Sequence, residues 1–190
     1  MAKKSKQNMT NLIINILIIA LAVLTVVTLF MPFLKSSLFT SGMVDASASV
    51  SATGSDIFTA AFNGEVSRDF SDGANRLIGM KTAEENSFVA IVMIWSYIAT
   101  VFVALATLVF GVLNILGMKF RLVNTILGTA LIVLALVTFI FTLITAAKNT
   151  EISEVLGQEI GTRTSAMVSA YMMFAGILAG GLQVYRAKQK

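Results

Sequence analysis

The chain has 190 residues, of which 56% are hydrophobic and 13% charged, with a mean hydropathy of +0.84 and a net charge of +4. Soluble domains carry about 25% charged residues, so this composition excludes an ordinary soluble domain and indicates a membrane protein. There is no cysteine and no histidine, which removes disulfides, thiolate chemistry and imidazole bases or metal ligands.

Residues 1–11 carry Lys3, Lys4 and Lys6 and no acid, and Leu12 to Leu34 follow without a charge. A secretory leader has an apolar core of about 7–15 residues with a small-residue cleavage site close behind. The core here is longer, and the nearest such pattern, Ala46-Ser47-Ala48, is remote. The expectation is an uncleaved first membrane helix over residues 12–34, with Pro32 ending or kinking it.

Residues 35–82 are rich in Ser, Thr, Gly and Asp. Val44, Ala46, Ala48, Val50 and Ala52 alternate with polar residues, which predicts a strand with one small apolar face. Gly54 breaks that pattern, and Ser55 can cap a short helix through Ile57, Phe58, Ala61 and Phe62. Asn63-Gly64 and Asp72-Gly73 are turn signals. Phe58, Phe62, Phe70, Leu77 and Ile78 need burial, so the segment is expected to fold as a small extracellular cap of mixed strand and short helix.

Thr82-Ala83-Glu84-Glu85 has the form of a capping box, and no charge follows from Ser87 to Met118. This predicts a second membrane helix over residues 83–117, longer than the roughly 20 residues that cross a bilayer. At 100° per residue, Ser96, Thr100, Ala104, Thr107, Gly111 and Asn114 fall within about an 80° arc. That seam of small and weakly polar groups either packs against neighbouring helices or lines a solute path. No ionisable residue lies in any span, whereas ion-coupled transporters place one there, so packing is the preferred reading. Asn15 and Ala22 of the first helix are expected to face Ser96 and Asn114.

The link Met118–Arg121 is short and makes the second and third helices antiparallel neighbours. A third helix is predicted over residues 122–147. Residues 148–164 form a second outer segment, where the spacing of Ile152, Val155, Leu156 and Ile160 predicts a short amphipathic helical turn. A fourth helix is predicted over residues 165–185, with Ser165, Ser169, Gly176 and Gly180 on about a 60° arc. Gly176 and Gly180 are a small-xxx-small pair that lets two backbones approach closely. The partner is either a helix of the same chain or a second subunit.

Basic residues set orientation when counted over short loops. The first tail (Lys3, Lys4, Lys6), the short link (Lys119, Arg121) and the last tail (Arg186, Lys188, Lys190) contain no acid, while residues 148–164 hold two basic residues, Lys148 and Arg163, against three acidic ones, Glu151, Glu154 and Glu159. Both termini are therefore expected in the cytoplasm and both acidic segments outside. Because the positive residues flank apolar runs, they read as topology signals and headgroup contacts, not as a nucleic-acid surface. Asp56, Glu65, Asp69 and Asp72 do not match the register of a calcium loop and read as a solvated acidic turn.

Four crossings, a large first outer segment with strand character, a short inner turn and a smaller second outer segment resemble the claudin-like tetraspan architecture as a topology. The Gly-Leu-Trp signature and cysteine pair of that family are missing; the single tryptophan, Trp95, lies in the second helix. The stretch from Pro32 through Ser55-Asp56-Ile57-Phe58 is also similar to small four-helix membrane proteins of Gram-positive bacteria. The expectation is an all-α, four-helix membrane bundle in the plasma membrane, with no catalytic residue, metal or cofactor. Its partners would be the lipid bilayer and either further copies of itself or another membrane protein, met through the fourth helix and the cap. The second reading is a channel or transporter subunit using the seam.

Overall fold

A computed structural model describes residues 2–41, 46–62, 87–118, 120–148, 150–155 and 158–188. Helix α1 (Ala2–Val27) runs into a 3-10 turn (Thr28–Phe30), followed by β1 (Pro32–Ser41), β2 (Ala46–Thr53) and α2 (Gly54–Phe62). Then come α3 (Ser87–Ile115), α4 (Arg121–Lys148), β3 (Glu151–Val155), β4 (Gln158–Ala166) and α5 (Val168–Lys188). Among the described residues, four segments are long and apolar enough to cross a membrane: Met9–Phe30, Phe88–Ile115, Arg121–Lys148 and Val168–Lys188. The shortest has 21 residues. At about 1.5 Å per residue it still spans a hydrocarbon core of about 30 Å.

The chain divides into two compact units, and the boundary passes through helices. The first comprises Met1–Val27, Ser96–Val137 and Met172–Lys190, and the second Thr28–Trp95 and Thr138–Tyr171.

In the first unit, segments of α1, α3, α4 and α5 pack around Ala104, Leu131 and Ala179, which are fully buried, with Leu21, Val26 and Val103 against them. Small residues allow this. A Cβ built on Gly180 would overlap the carbonyl oxygen of Gly128, and one built on Gly128 would lie 2.7 Å from the carbonyl oxygen of Gly180. The α4 and α5 backbones therefore touch there. Gly176 is packed by Ala135 and Thr25, and Gly111 by Ile19. The turn between α3 and α4 is built on Gly117, whose φ of 94° is the left-handed value that closes a helix. The amide of Gly117 donates to Asn114 O and that of Met118 to Leu113 O, the paired bonds of a Schellman C-cap.

In the second unit, a four-stranded antiparallel sheet has the order β2-β1-β4-β3. Ala46, Ala48, Val50 and Ala52 lie in register with Thr40, Leu38, Ser36 and Leu34. Phe33, Leu34 and Ile57 are buried. Helix α2 packs on the Thr28–Phe30 turn, and the amide of Gly54 donates to Met31 O at 3.3 Å.

Several expectations change. Helix α1 stops at Val27 rather than residue 34, and Pro32 opens a strand, a position where its missing N–H costs no ladder bond. The all-α description gives way to a mostly helical chain carrying a sheet. That sheet is not built from residues 35–82 alone, because β1 is flanked by β4 (Gln158–Ala166). Where a short amphipathic helical turn is expected within residues 148–164, Glu151–Val155 pairs with Gln158–Ala166 as antiparallel β3 and β4. The hydroxyl of Thr150 accepts the Thr164 amide at 3.2 Å and extends this ladder. The last helix begins at Val168, which leaves Ser165 on β4, paired with Lys35. The short helix is capped by Thr53, not Ser55. Asp56 N donates to Thr53 Oγ1 at 3.3 Å, and Thr53 N donates to Asp56 Oδ2 at 2.8 Å, a reciprocal capping box. The Thr82–Glu85 capping box, the Asn63-Gly64 and Asp72-Gly73 turns, and Phe70, Leu77 and Ile78 lie outside the described residues.

Candidate functional site

The seam predicted on the second membrane helix is buried in the first unit. Thr100, Ala104 and Thr107 are fully buried, Ser96 and Gly111 are buried, and Asn114 is half-buried. In the upper part the Thr100 hydroxyl donates to Ser96 O at 2.7 Å. The lower part belongs to a network across three helices. Asn114 and Asn124 form a reciprocal amide pair, with each Nδ2 donating to the other Oδ1 at 3.1 Å. Gln183 Nε2 donates to Asn124 Oδ1 at 3.4 Å, and Thr107 Oγ1 donates to Gln183 Oε1 at 3.2 Å.

Three levels of contact between α4 and α5 explain how Gln183 reaches Asn124. Ala135 meets Gly176, Gly128 meets Gly180, and Asn124 meets Gln183. The helices are antiparallel, and the glycines bring the backbones close enough for a short amide to bridge them. The network contains only neutral amides and a hydroxyl. It has no group that titrates near neutral pH and no activated nucleophile. Its chemistry is therefore that of interhelical bonding, at about 0.6 kcal/mol per bond on average in membrane proteins, and of a larger penalty if one member is removed.

Of the four residues predicted on the last helix, the structure brings together two. Gly176 and Gly180 pack against Ala135, Thr25, Gly128 and Ile132 of the same chain. Ser169 is fully buried in the second unit, where its hydroxyl donates to Thr28 O at 3.4 Å. Ser165 is exposed, its hydroxyl 3.5 Å from Lys35 O. Asn15 and Ala22 are buried, Asn114 is paired with Asn124, and Asn15 Oδ1 has no partner. Sequence reasoning missed Asn124 and Gln183. Both lie near the ends of their helices, where an amide is ordinary, so the sequence of either helix alone gives no signal for the pairing.

Among the described residues, no group of three or more acidic side chains could hold a metal ion. In the second unit, Thr138, Thr142 and Thr145 are buried on α4. Thr142 donates to Thr138 O at 2.7 Å and Thr145 to Phe141 O at 2.8 Å. No protein-family model matches this chain, and no characterised protein or solved structure shows significant similarity to it.

Proposed function

We propose that this chain is a non-enzymatic, multi-pass protein of the plasma membrane with a structural or interaction role. Both termini face the cytoplasm and the sheet is displayed outside. The reading rests mainly on the way the interior polar groups are used. Thr107, Asn114, Asn124 and Gln183 bond one another, which suits a static bundle better than a wet path. A solute route along the seam would have to break these bonds.

The sheet supports the cap as the recognition surface, since two outer segments far apart in sequence contribute to one body with β1 and β4 at its centre. Lateral association through the last helix would use its exposed stripe, not its glycine pair, which is packed inside the chain. Phe174, Leu178 and Tyr185 are exposed on α5, and Gly181 between them has nothing within 4 Å of a built Cβ.

Single-cysteine crosslinking in native membranes tests this cleanly, because the chain contains no cysteine. Gly181→Cys and Leu178→Cys on the stripe, or Ser49→Cys and Ser55→Cys on the cap, should give crosslinked species, while Gly176→Cys should not. Monomer alone at all four accessible positions, at native expression, would remove the interaction role.

A further inference from the structure

Three buried side-chain atoms among the described residues lack a hydrogen-bond partner: Asn11 Oδ1, Asn15 Oδ1 and Arg186 Nε. All three belong to the first unit. Asn15 is 3% exposed and Arg186 is half-buried. The packing places Asn15 and Arg186 at one level, with Asn11 one helical turn beyond Asn15. Helix α1 is antiparallel to α3, with Ile19 against Gly111, and α3 is parallel to α5, with Thr107 bonded to Gln183 and Ala104 clustered with Ala179. Helices α1 and α5 are therefore antiparallel, and they meet where Thr25 packs Gly176. Ten residues back along α1 is Asn15, and ten residues on along α5 is Arg186. Both lie about 15 Å from that contact in the same direction.

Buried polar groups are almost always paired, and clustered exceptions indicate an ion, a water or a ligand. A guest that accepts from Arg186 and donates to the asparagines satisfies all three atoms. Arg186 Nε–H needs an acceptor, for which a phosphate oxygen is well matched to guanidinium. The two asparagine oxygens, as assigned, need hydroxyl or ammonium donors. Arg186 sits two residues before the exposed Lys188 at the end of a membrane span, at the depth where headgroups lie.

We propose that the α1–α5 cleft lined by Asn11, Asn15 and Arg186 binds the headgroup of an anionic phospholipid. Its phosphodiester accepts from Arg186 Nε–H, and its hydroxyl or ammonium groups donate to Asn11 and Asn15. This site is separate from any partner contact made by the cap or by the stripe on α5.

Native mass spectrometry of the intact chain released from membranes in mild detergent tests it, with phosphatidylglycerol, phosphatidylserine and phosphatidylcholine supplied in turn. The wild type should retain one anionic lipid at least fivefold more strongly than phosphatidylcholine. Arg186→Gln and Asn15→Leu should abolish that preference, and Arg186→Lys, which keeps the charge and loses the Nε donor, should weaken it severalfold. Lys188→Gln and Arg121→Gln should leave it unchanged. Millimolar inorganic phosphate should not displace the lipid; displacement would identify a free-phosphate site and overturn the lipid assignment. Equal retention of neutral and anionic lipid, or equal loss in Lys188→Gln and Arg186→Gln, would also overturn it, the second by showing diffuse charge attraction. If Arg186→Gln does not fold, the wild-type thermal midpoint decides, since it should rise with added phosphatidylglycerol and not with phosphatidylcholine; no difference overturns the site.

Discussion

Gly180 and Gly181 are neighbours in sequence with opposite surroundings. A methyl group on Gly180 would overlap a backbone oxygen of α4 and lie 2.8 Å from Ile132 Cγ1, whereas Gly181 faces open space. A backbone oxygen cannot rotate away as a side chain can, so the helices must separate, and overpacking of this kind costs about 1–3 kcal/mol. Gly181→Ala adds no clash and should gain up to about 1 kcal/mol of helix propensity. Thermal unfolding in detergent should therefore show a lowered midpoint for Gly180→Ala and an unchanged or raised one for Gly181→Ala. Equal midpoints would mean that the α4–α5 backbones do not touch. The residue scale is also where the sequence was least legible. The Gly176-Gly180 pattern announced a close approach, but a periodicity on one helix carries no label for its partner. Asn124 and Gln183 sit close to the ends of their spans, where an amide is ordinary, and only the pairing across helices makes them interior residues.

At the scale of elements, legibility followed the range of the interactions. Uncharged runs longer than a bilayer is thick can be read locally, and four helices long and apolar enough to cross a membrane appear where the runs lie. The ends shift where tertiary pairing competes. Residues 31–34 could continue a helix by composition, but β1 finds β2 on one side and β4 on the other. The hairpin of residues 151–166 was misread because Ile152, Val155, Leu156 and Ile160 are spaced for a helix. The decisive partner, β1, lies more than a hundred residues away, as in the register of Lys35 with Ser165. The start of α2 was misplaced by two residues, since Thr53 and Ser55 are both capable caps, and only the bond to Asp56 separates them. This yields a discriminating pair of substitutions. Thr53→Val keeps strand propensity but loses the hydroxyl that accepts the Asp56 amide, and loss of a cap costs about 0.5–2 kcal/mol. Ser55→Ala removes only a hydroxyl contact to Thr53. Limited proteolysis of the cap should accelerate in Thr53→Val and change little in Ser55→Ala; the reverse order would return the capping role to Ser55.

For the whole molecule, the charge pattern and the helix count make one joint statement about orientation. Lys3, Lys4, Lys6, Lys119, Arg121, Arg186, Lys188 and Lys190 all flank spans on ends without an acid, while Glu151, Glu154 and Glu159 fall on the opposite ends. Basic residues in short loops favour the cytoplasmic side, and an even number of crossings would put both tails on one side, so the proposed orientation has both in the cytoplasm. Arg186 and Lys188 also lie in the last turn of α5, where the helix dipole favours cations by about 0.3–1 kcal/mol, so the same residues serve the helix and the topology. The proposal for the cap fails if this orientation is wrong, because a sheet facing the cytoplasm could not meet an extracellular partner. Ser49 on β2 and Lys188 on α5 are both exposed, which makes Ser49→Cys and Lys188→Cys a matched pair of probes in a chain with no other thiol. A membrane-impermeant maleimide applied to intact cells should label Ser49→Cys at once and Lys188→Cys only after permeabilisation. Labelling of Lys188→Cys alone in intact cells would invert the molecule. Labelling of both would break the even count of crossings, and with it the shared side of the two termini.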